Sequence, residues 1–434
     1  MTLNSLGRWL AALAVLLVLL AGGPAVRAQG PTPVFRPSVQ NDFPRALVFE
    51  LEATGERPFT EARLYFRAVG SSSWSSAPVP IETPATEVRL RYEWFTKNAT
   101  IPPGLLVEYY WRLRDETGQT FTTPRYRTEY LDVRFDWQRL EDEKLTVLWY
   151  AGDRAWGETM FQTGQAAIAR LERAFGVSFE QPVRVVVYAN DADFRSAFPP
   201  QQSWIGGQAF PDLGITVQII APGDRGWMEQ VIPHEVAHLA FARATESALA
   251  VPPAWLDEGL AMYSEPGEFG EAQRERLRGA ARSGTLPPLS RLQGNFGADH
   301  STVSLAYLES WALVDFLLRD CGQEGFRQLI EGLNAGLSTD EALQAACGYD
   351  QEQFYARWLA EELGVAPPTR APQSGRPTPP PAAPTPAPSE QLSPEERSER
   401  TVLFAGLLVL GAGAGCAALA LLALVAVAVV LWRT

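Results

Sequence analysis

The stretch "IPHEVAHLAFARATESALAVPPAWLDEGLAMYSE" runs from Ile232 to Glu265 and carries two of the three histidines in a chain of 434 residues. His234 and His238 are four positions apart. On a helix that spacing is one turn, so both rings leave the same face and can grip one ion. Glu235 precedes His238 by three residues and leans over the same face, within reach of a water held there without being a ligand itself. The plain alternative is a surface helix with two incidental histidines, and five residues do not by themselves exclude it.

The second half of the stretch bears on that choice. A catalytic zinc takes three protein ligands and keeps a fourth position open for water. Asp257 and Glu258 lie on the helix expected to start after Pro252 and Pro253. Nineteen residues separate His238 from Glu258, enough for a loop and an antiparallel return. On these motifs the chain resembles the gluzincin-type zinc metallopeptidases, the peptidase MA clan that holds thermolysin and the zinc aminopeptidases. "WLDEGLAMYSE" is similar to the third-ligand helix of the aminopeptidases, which commonly reads W-L-N-E-G, so Asp257 stands where Asn is usual.

The resemblance implies one zinc per chain held by His234, His238 and Glu258, with Glu235 as general base. It leaves two readings of Glu265, support for an imidazole or a plain surface carboxylate. "AYLESWALVDFLL" resembles the aminopeptidase helix whose tyrosine donates to the tetrahedral oxyanion; the matching residue is Tyr307, and packing is the competing reading. His300, in "GADHSTVS", reads as an exposed loop histidine, with an alternative donor as the other role. "WIGGQAF" matches the substrate-binding edge strand, where Gly206, Gly207, Gln208 and Ala209 would pair with an extended peptide through the main chain. That strand lacks the glutamate with which an aminopeptidase holds a free amine. The implied activity is therefore cleavage of internal peptide bonds, Asp212 being the nearest acid that would argue otherwise.

The flanking sequence sets the organisation. Residues 1–28 read as a secretory signal: Met1 to Arg8 carries one positive charge, Trp9–Leu20 is an unbroken apolar run, and the segment ends on small residues at Ala28. Residues 36–135 alternate apolar and polar side chains in short runs broken at Thr54-Gly55, Val69-Gly70, Pro102-Pro103-Gly104 and Thr117-Gly118. That pattern predicts an all-β sandwich, and "EYYWRLRDETGQ" resembles an immunoglobulin or fibronectin type III strand and turn. Residues 144–363 carry the peptidase resemblance, as an α+β zincin domain with a helical C-terminal lobe. Residues 366–400 are rich in Pro, Ala, Thr and Ser and read as a disordered stalk. Residues 402–432 hold no charge and are long enough for one transmembrane helix, with Gly411 and Gly415 in small-xxx-small spacing.

The expected protein is thus multidomain and exported, tethered to the cell membrane by its C-terminal helix, with a peptide or protein as substrate. A net charge of −13 without a basic stripe excludes a nucleic-acid partner. Cys321 and Cys347 fall in the exported part, where either a bridge or two buried thiols would serve. The rival from another class is an adhesion scaffold whose peptidase fold no longer cuts, with the sandwich binding a surface ligand.

Overall fold

The computed structural model describes residues 32–96, 101–179, 181–198, 206–294, 296 and 300–365. The expected signal segment, the stalk and the apolar span 402–432 lie outside the described residues. Among the described residues no helix is long and apolar enough to cross a membrane. The chain divides into two compact units, residues up to Arg243 with Ser264–Pro266, and residues Ala244–Tyr263 with those from Gly267 onward.

The first unit begins with seven strands joined in one hydrogen-bonded sheet. They are β1 (Val34–Asp42), β2 (Ala46–Ala68), β3 (Ser75–Val79), β4 (Ala85–Phe95), β5 (Leu105–Asp115), β6 (Thr120–Thr122) and β7 (Tyr126–Tyr130). Thr54-Gly55, read as a turn in the sequence, lies inside β2, a single strand of 23 residues. The first half of β2 pairs with β1 and β4, and the second half with β3 and β5. The register slips between Thr54 and Phe59 and again between Phe59 and Glu61. Such bulges bend a strand. The bend is large, because Phe49 and Phe66 meet with ring centroids 5.8 Å apart. Fully extended, that length of chain would separate them by about 55 Å. The two halves of β2 therefore face each other across a shared core. The N-terminal region is all-β, with each half of β2 as the spine of one layer.

A second sheet follows in the same unit, in the order β11-β12-β10-β9-β8. Its strands are β8 (Gln138–Glu141), β9 (Leu145–Trp149), β10 (Val183–Tyr188), β11 (Gly207–Phe210) and β12 (Ile215–Ile219). The three central strands run parallel and both edges antiparallel. Every residue of "VRVVVY" in β10 is buried, as expected for a strand covered on both faces. Helix α1 (Arg154–Phe175) links β9 to β10, capped by the Asp153 side chain, which accepts from the Trp156 N–H, and stopped at Gly176 with φ 67°. Gly157 lets the helix lie on the sheet, since a Cβ there would stand 2.0 Å from Trp149 Cζ2. The short α2 (Asp191–Ala197) is capped by Asn190, not by an aspartate as its sequence suggests. Helix α3 (Arg225–Ala244) comes last.

The two sheets share one core, in which Phe49, Leu64 and Trp111 cluster with Leu148, Val186 and Tyr188. Arg184 on β10 reaches back to donate to the Gly104 carbonyl at 2.7 Å and to pair with Glu129.

The second unit is helical: α4 (Ala254–Ser264), α5 (Glu271–Ser283), α6 (His300–Asp320), α7 (Gly322–Asn334), α8 (Thr339–Cys347) and α9 (Gln351–Trp358). His300, expected in a loop, opens α6. Cys321 and Cys347 are joined in a disulfide between the end of α6 and the end of α8.

One buried acid sits in this unit. Glu309 on α6 is 0% exposed, and Tyr355 lies 2.6 Å from its Oε1 and 3.2 Å from the Pro287 carbonyl. The tyrosine has one proton and faces two acceptors. Tyr355 Oη donates to Glu309 Oε1, with the Pro287 carbonyl as a second acceptor. Burial pushes the Glu309 carboxyl from its ordinary 4.5 up to about 8, against the opposing pull of the bond that Tyr355 donates to it. The unfolded chain releases this proton near the ordinary value and the folded chain near the raised one. The contribution is therefore full below the lower pH and is lost as pH rises through the upper one. Urea titrations at pH 5 and pH 8.5 should show the wild type losing roughly 3–4 kcal/mol more than Glu309→Gln across that interval.

Candidate active site

Helix α3 carries both histidines and runs unbroken through Pro233. The proline removes one backbone N–H from the ladder, and its own carbonyl accepts from Ser264 Oγ at 2.9 Å. The rings of His234 and His238 stand 5.1 Å apart, nearly perpendicular. Glu265 Oε1 lies 2.9 Å from His234 Nδ1, which leaves Nε2 as the nitrogen turned to other work. Glu258 is on α4, whose first turn carries Asp257. One ligand atom from each of His234, His238 and Glu258 can be chosen so that all three lie within 4.8 Å of one another. Zinc bonds of about 2.0–2.2 Å set tetrahedral ligand atoms about 3.4 Å apart. Two imidazole nitrogens and a carboxylate oxygen at this spacing fit a zinc ion in both chemistry and scale.

Glu235 is buried, 7% exposed, and turned toward β11. A Cβ on Gly207 would fall 2.4 Å from Glu235 Oε1, so the carboxylate occupies the space that any side chain at 207 would need. Gly206 is close to Trp227 in the same way, at 2.6 Å to Cζ2. The Trp227 indole donates to the Ile219 carbonyl at 2.8 Å, and the Ile219 N–H donates to the Gly206 carbonyl at 2.8 Å. β11 pairs with β12 on one side, Gly207 opposite Gln218 and Ala209 opposite Thr216, and among the described residues no strand pairs with its other side. Gly206, Gly207, Gln208 and Ala209 thus form an edge beside the Glu235 carboxylate. Asp212 follows in a short turn, Pro211–Leu213.

Tyr307 is half-buried on α6 and packs edge-on against Phe296, with centroids 5.5 Å apart. It is not one of the three clustered ligands. Trp227 was not singled out in the sequence; its position after the turn Ala221–Asp224 and beside the edge strand is a product of the fold.

Residues 163–362 match the model of the Peptidase MA superfamily. This segment is a peptidase MA domain. Among solved structures, the chain matches an aminopeptidase N family protein from Idiomarina loihiensis at 10% identity, covering 77% of this chain and 74% of that one, with a TM-score of 0.34. It matches OgpA from Akkermansia muciniphila at 4% identity and a TM-score of 0.20, covering 24% of this chain and 30% of that one. A polysaccharide deacetylase from Bacillus cereus matches at 10% identity and a TM-score of 0.20, over 38% and 55% of the two chains. No curated protein matches the chain in sequence.

Two predictions follow from this geometry. His238→Ala and Glu258→Ala should each abolish tight zinc binding while the wild type holds about one equivalent, measured by elemental analysis after dialysis. Gly207→Ala should keep zinc but force Glu235 off its position, lowering hydrolysis by about 100-fold in a steady-state assay.

Proposed function

We propose that the chain is a membrane-anchored, extracytoplasmic zinc endopeptidase. The observation that carries the reading is the juxtaposition of Glu235 with the open edge of β11, on the helix that also holds two of the three clustered ligands. His234, His238 and Glu258 would hold the metal, which when bound supplies Lewis acidity and a lowered pKa for water.

The chain's own groups account for the rest. An extended peptide adds to the free edge at Gly206–Ala209 through main-chain hydrogen bonds. The missing side chain at Gly207 lets the peptide's backbone approach the Glu235 carboxylate. Glu235 takes a proton from the attacking water and returns it to the nitrogen of the departing amine. Its burial keeps competing water away from that carboxylate. Glu265 lies 2.9 Å from His234 Nδ1 and would fix the ring so that Nε2 is the nitrogen offered to the metal. Tyr307 would donate to the oxyanion that forms on the scissile carbonyl. No acidic residue stands within the strand Gly207–Phe210 to fix a free amine, which supports internal cleavage. The leader at 1–28 and the apolar span at 402–432 support export and a tether.

N-acetylated peptides should be cut at internal bonds by the wild type, read by mass spectrometry. Glu235→Gln should retain zinc and lose activity by a factor of at least about 100. Release of single residues from free N-termini, with blocked peptides untouched, would move the enzyme to the aminopeptidases. A zinc-loaded wild type inert across a broad peptide library would leave the scaffold reading.

A further inference from the structure

The outer face of the second layer of the N-terminal sheet carries a ladder of cross-strand pairs between β2 and β5. In register these are Glu61 with Arg114, Arg63 with Arg112, Tyr65 with Tyr110, and Arg67 with Glu108. The outermost rungs are ion pairs, Arg114 to Glu61 at 3.2 Å and Arg67 to Glu108 at 2.8 Å. The Tyr65 and Tyr110 rings stack at 4.8 Å with planes 3° apart. The remaining rung sets two arginines directly opposite each other. Like charges in that relation destabilise a sheet. Neither Arg63 nor Arg112 forms an ion pair among the described residues. Arg63 donates to Ser76 Oγ at 3.1 Å, and Arg112 lies over the Tyr65 ring at 5.0 Å. Arg125, also outside any ion pair among the described residues, lies over Trp74 at 5.3 Å.

We infer that this face binds an acidic polysaccharide, with Arg63 and Arg112 as its anion-binding pair. A groove of about 440 Å³ opens beside the two arginines, lined by Pro78, Pro80 and Ile81. Arg112, over the Tyr65 ring, also donates to the Tyr65 hydroxyl at 3.3 Å, which fixes the guanidinium and leaves its remaining N–H groups for a carboxylate or sulfate. The two facing guanidiniums repel each other, and an anion placed between them relieves that repulsion.

The kind of polyanion follows from what the groove lacks. β2 pairs on both sides here, with β3 and β5, and β5 pairs with β2 and β6. Their backbone groups are spent, and the edge strand β3 has no N–H to donate at Pro78, nor has Pro80 just after it, so an extended acidic peptide finds few main-chain partners here. The facing sides of Tyr65 and Tyr110 are covered by each other, and Trp74 lies under Arg67 and Arg125, so nucleobases find few ring faces to stack on. An acidic sugar needs neither. Its anion meets the guanidinium edges, and its C–H face lies against the proline and isoleucine lining.

The full-length protein is titrated with polygalacturonate by calorimetry, with dextran, poly-glutamate and oligo-dT as comparison polymers, at 50 and 200 mM NaCl. Polygalacturonate should bind, dextran should not, and affinity should fall with salt. Arg63→Glu turns the repelling rung into an ion pair like its neighbours. This variant should unfold at the wild-type temperature or above and lose polygalacturonate affinity by at least about tenfold. Arg112→Ser should weaken binding in the same direction. A wild type that ignores polygalacturonate, an Arg63→Glu protein that binds it unchanged, or poly-glutamate or oligo-dT binding as tightly would each overturn the assignment.

Discussion

The carboxylate of Glu235 lies where a methyl group on residue 207 would have to be. That exclusion ties an edge strand to a helix with almost no tolerance. The helix must present Glu235 inward while His234 and His238 stay one turn apart, and the strand must pass without a side chain. Gly206 repeats the requirement against Trp227, so two successive glycines answer to two residues of the same helix. On the proposed reading, a peptide added to that edge would meet backbone and, immediately behind it, the Glu235 carboxylate. The fold is organised to make that narrow place: parallel strands set β12, β12 sets β11, and the turn after β12 delivers α3.

Much of this could be read from residues. The period of four between the histidines, the acid inside it and the acid two helices' length away describe a ligand set, because metal geometry demands few residue types at few spacings. "WIGGQAF" could be placed as an edge strand through the aminopeptidase resemblance, but nothing in its residues signalled that Glu235 would fill the space beside Gly207. The β-branched and apolar composition of "KLTVLWY" and "PVRVVVY" is that of strands, while their parallel pairing shows only in the fold.

Other features had no local signal. Thr54-Gly55 has the composition of a turn, yet the strand continues through it, because bulges and the packing of Phe49 on Phe66 decide the backbone there. Strand β1 lies in "VFRPSVQND", whose half-exposed alternation is weak and includes a proline. Trp227 looked like any helix residue until β11 was beside it. Glu309 stands in an apolar helix as one acid among many, and its state depends on Tyr355, 46 positions later. The pairing of Arg63 with Arg112 required the register of two strands, which alternation alone leaves free to slip.

The shared core of the first unit bears on how the molecule can be divided. Gly104, at φ 87°, brings the loop before β5 so close to β10 that a Cβ would stand 2.7 Å from Val186 Cγ2. Arg184, nearly buried, spends its guanidinium on that loop's carbonyl and on Glu129 of β7. A fragment started at residue 144 would strip these partners away. It would leave a charged side chain and a row of valines facing water, a surface that invites aggregation. The β-rich front is therefore one wall of the peptidase's own interior, and expression boundaries drawn at the first peptidase strand would cut through a single piece of solid.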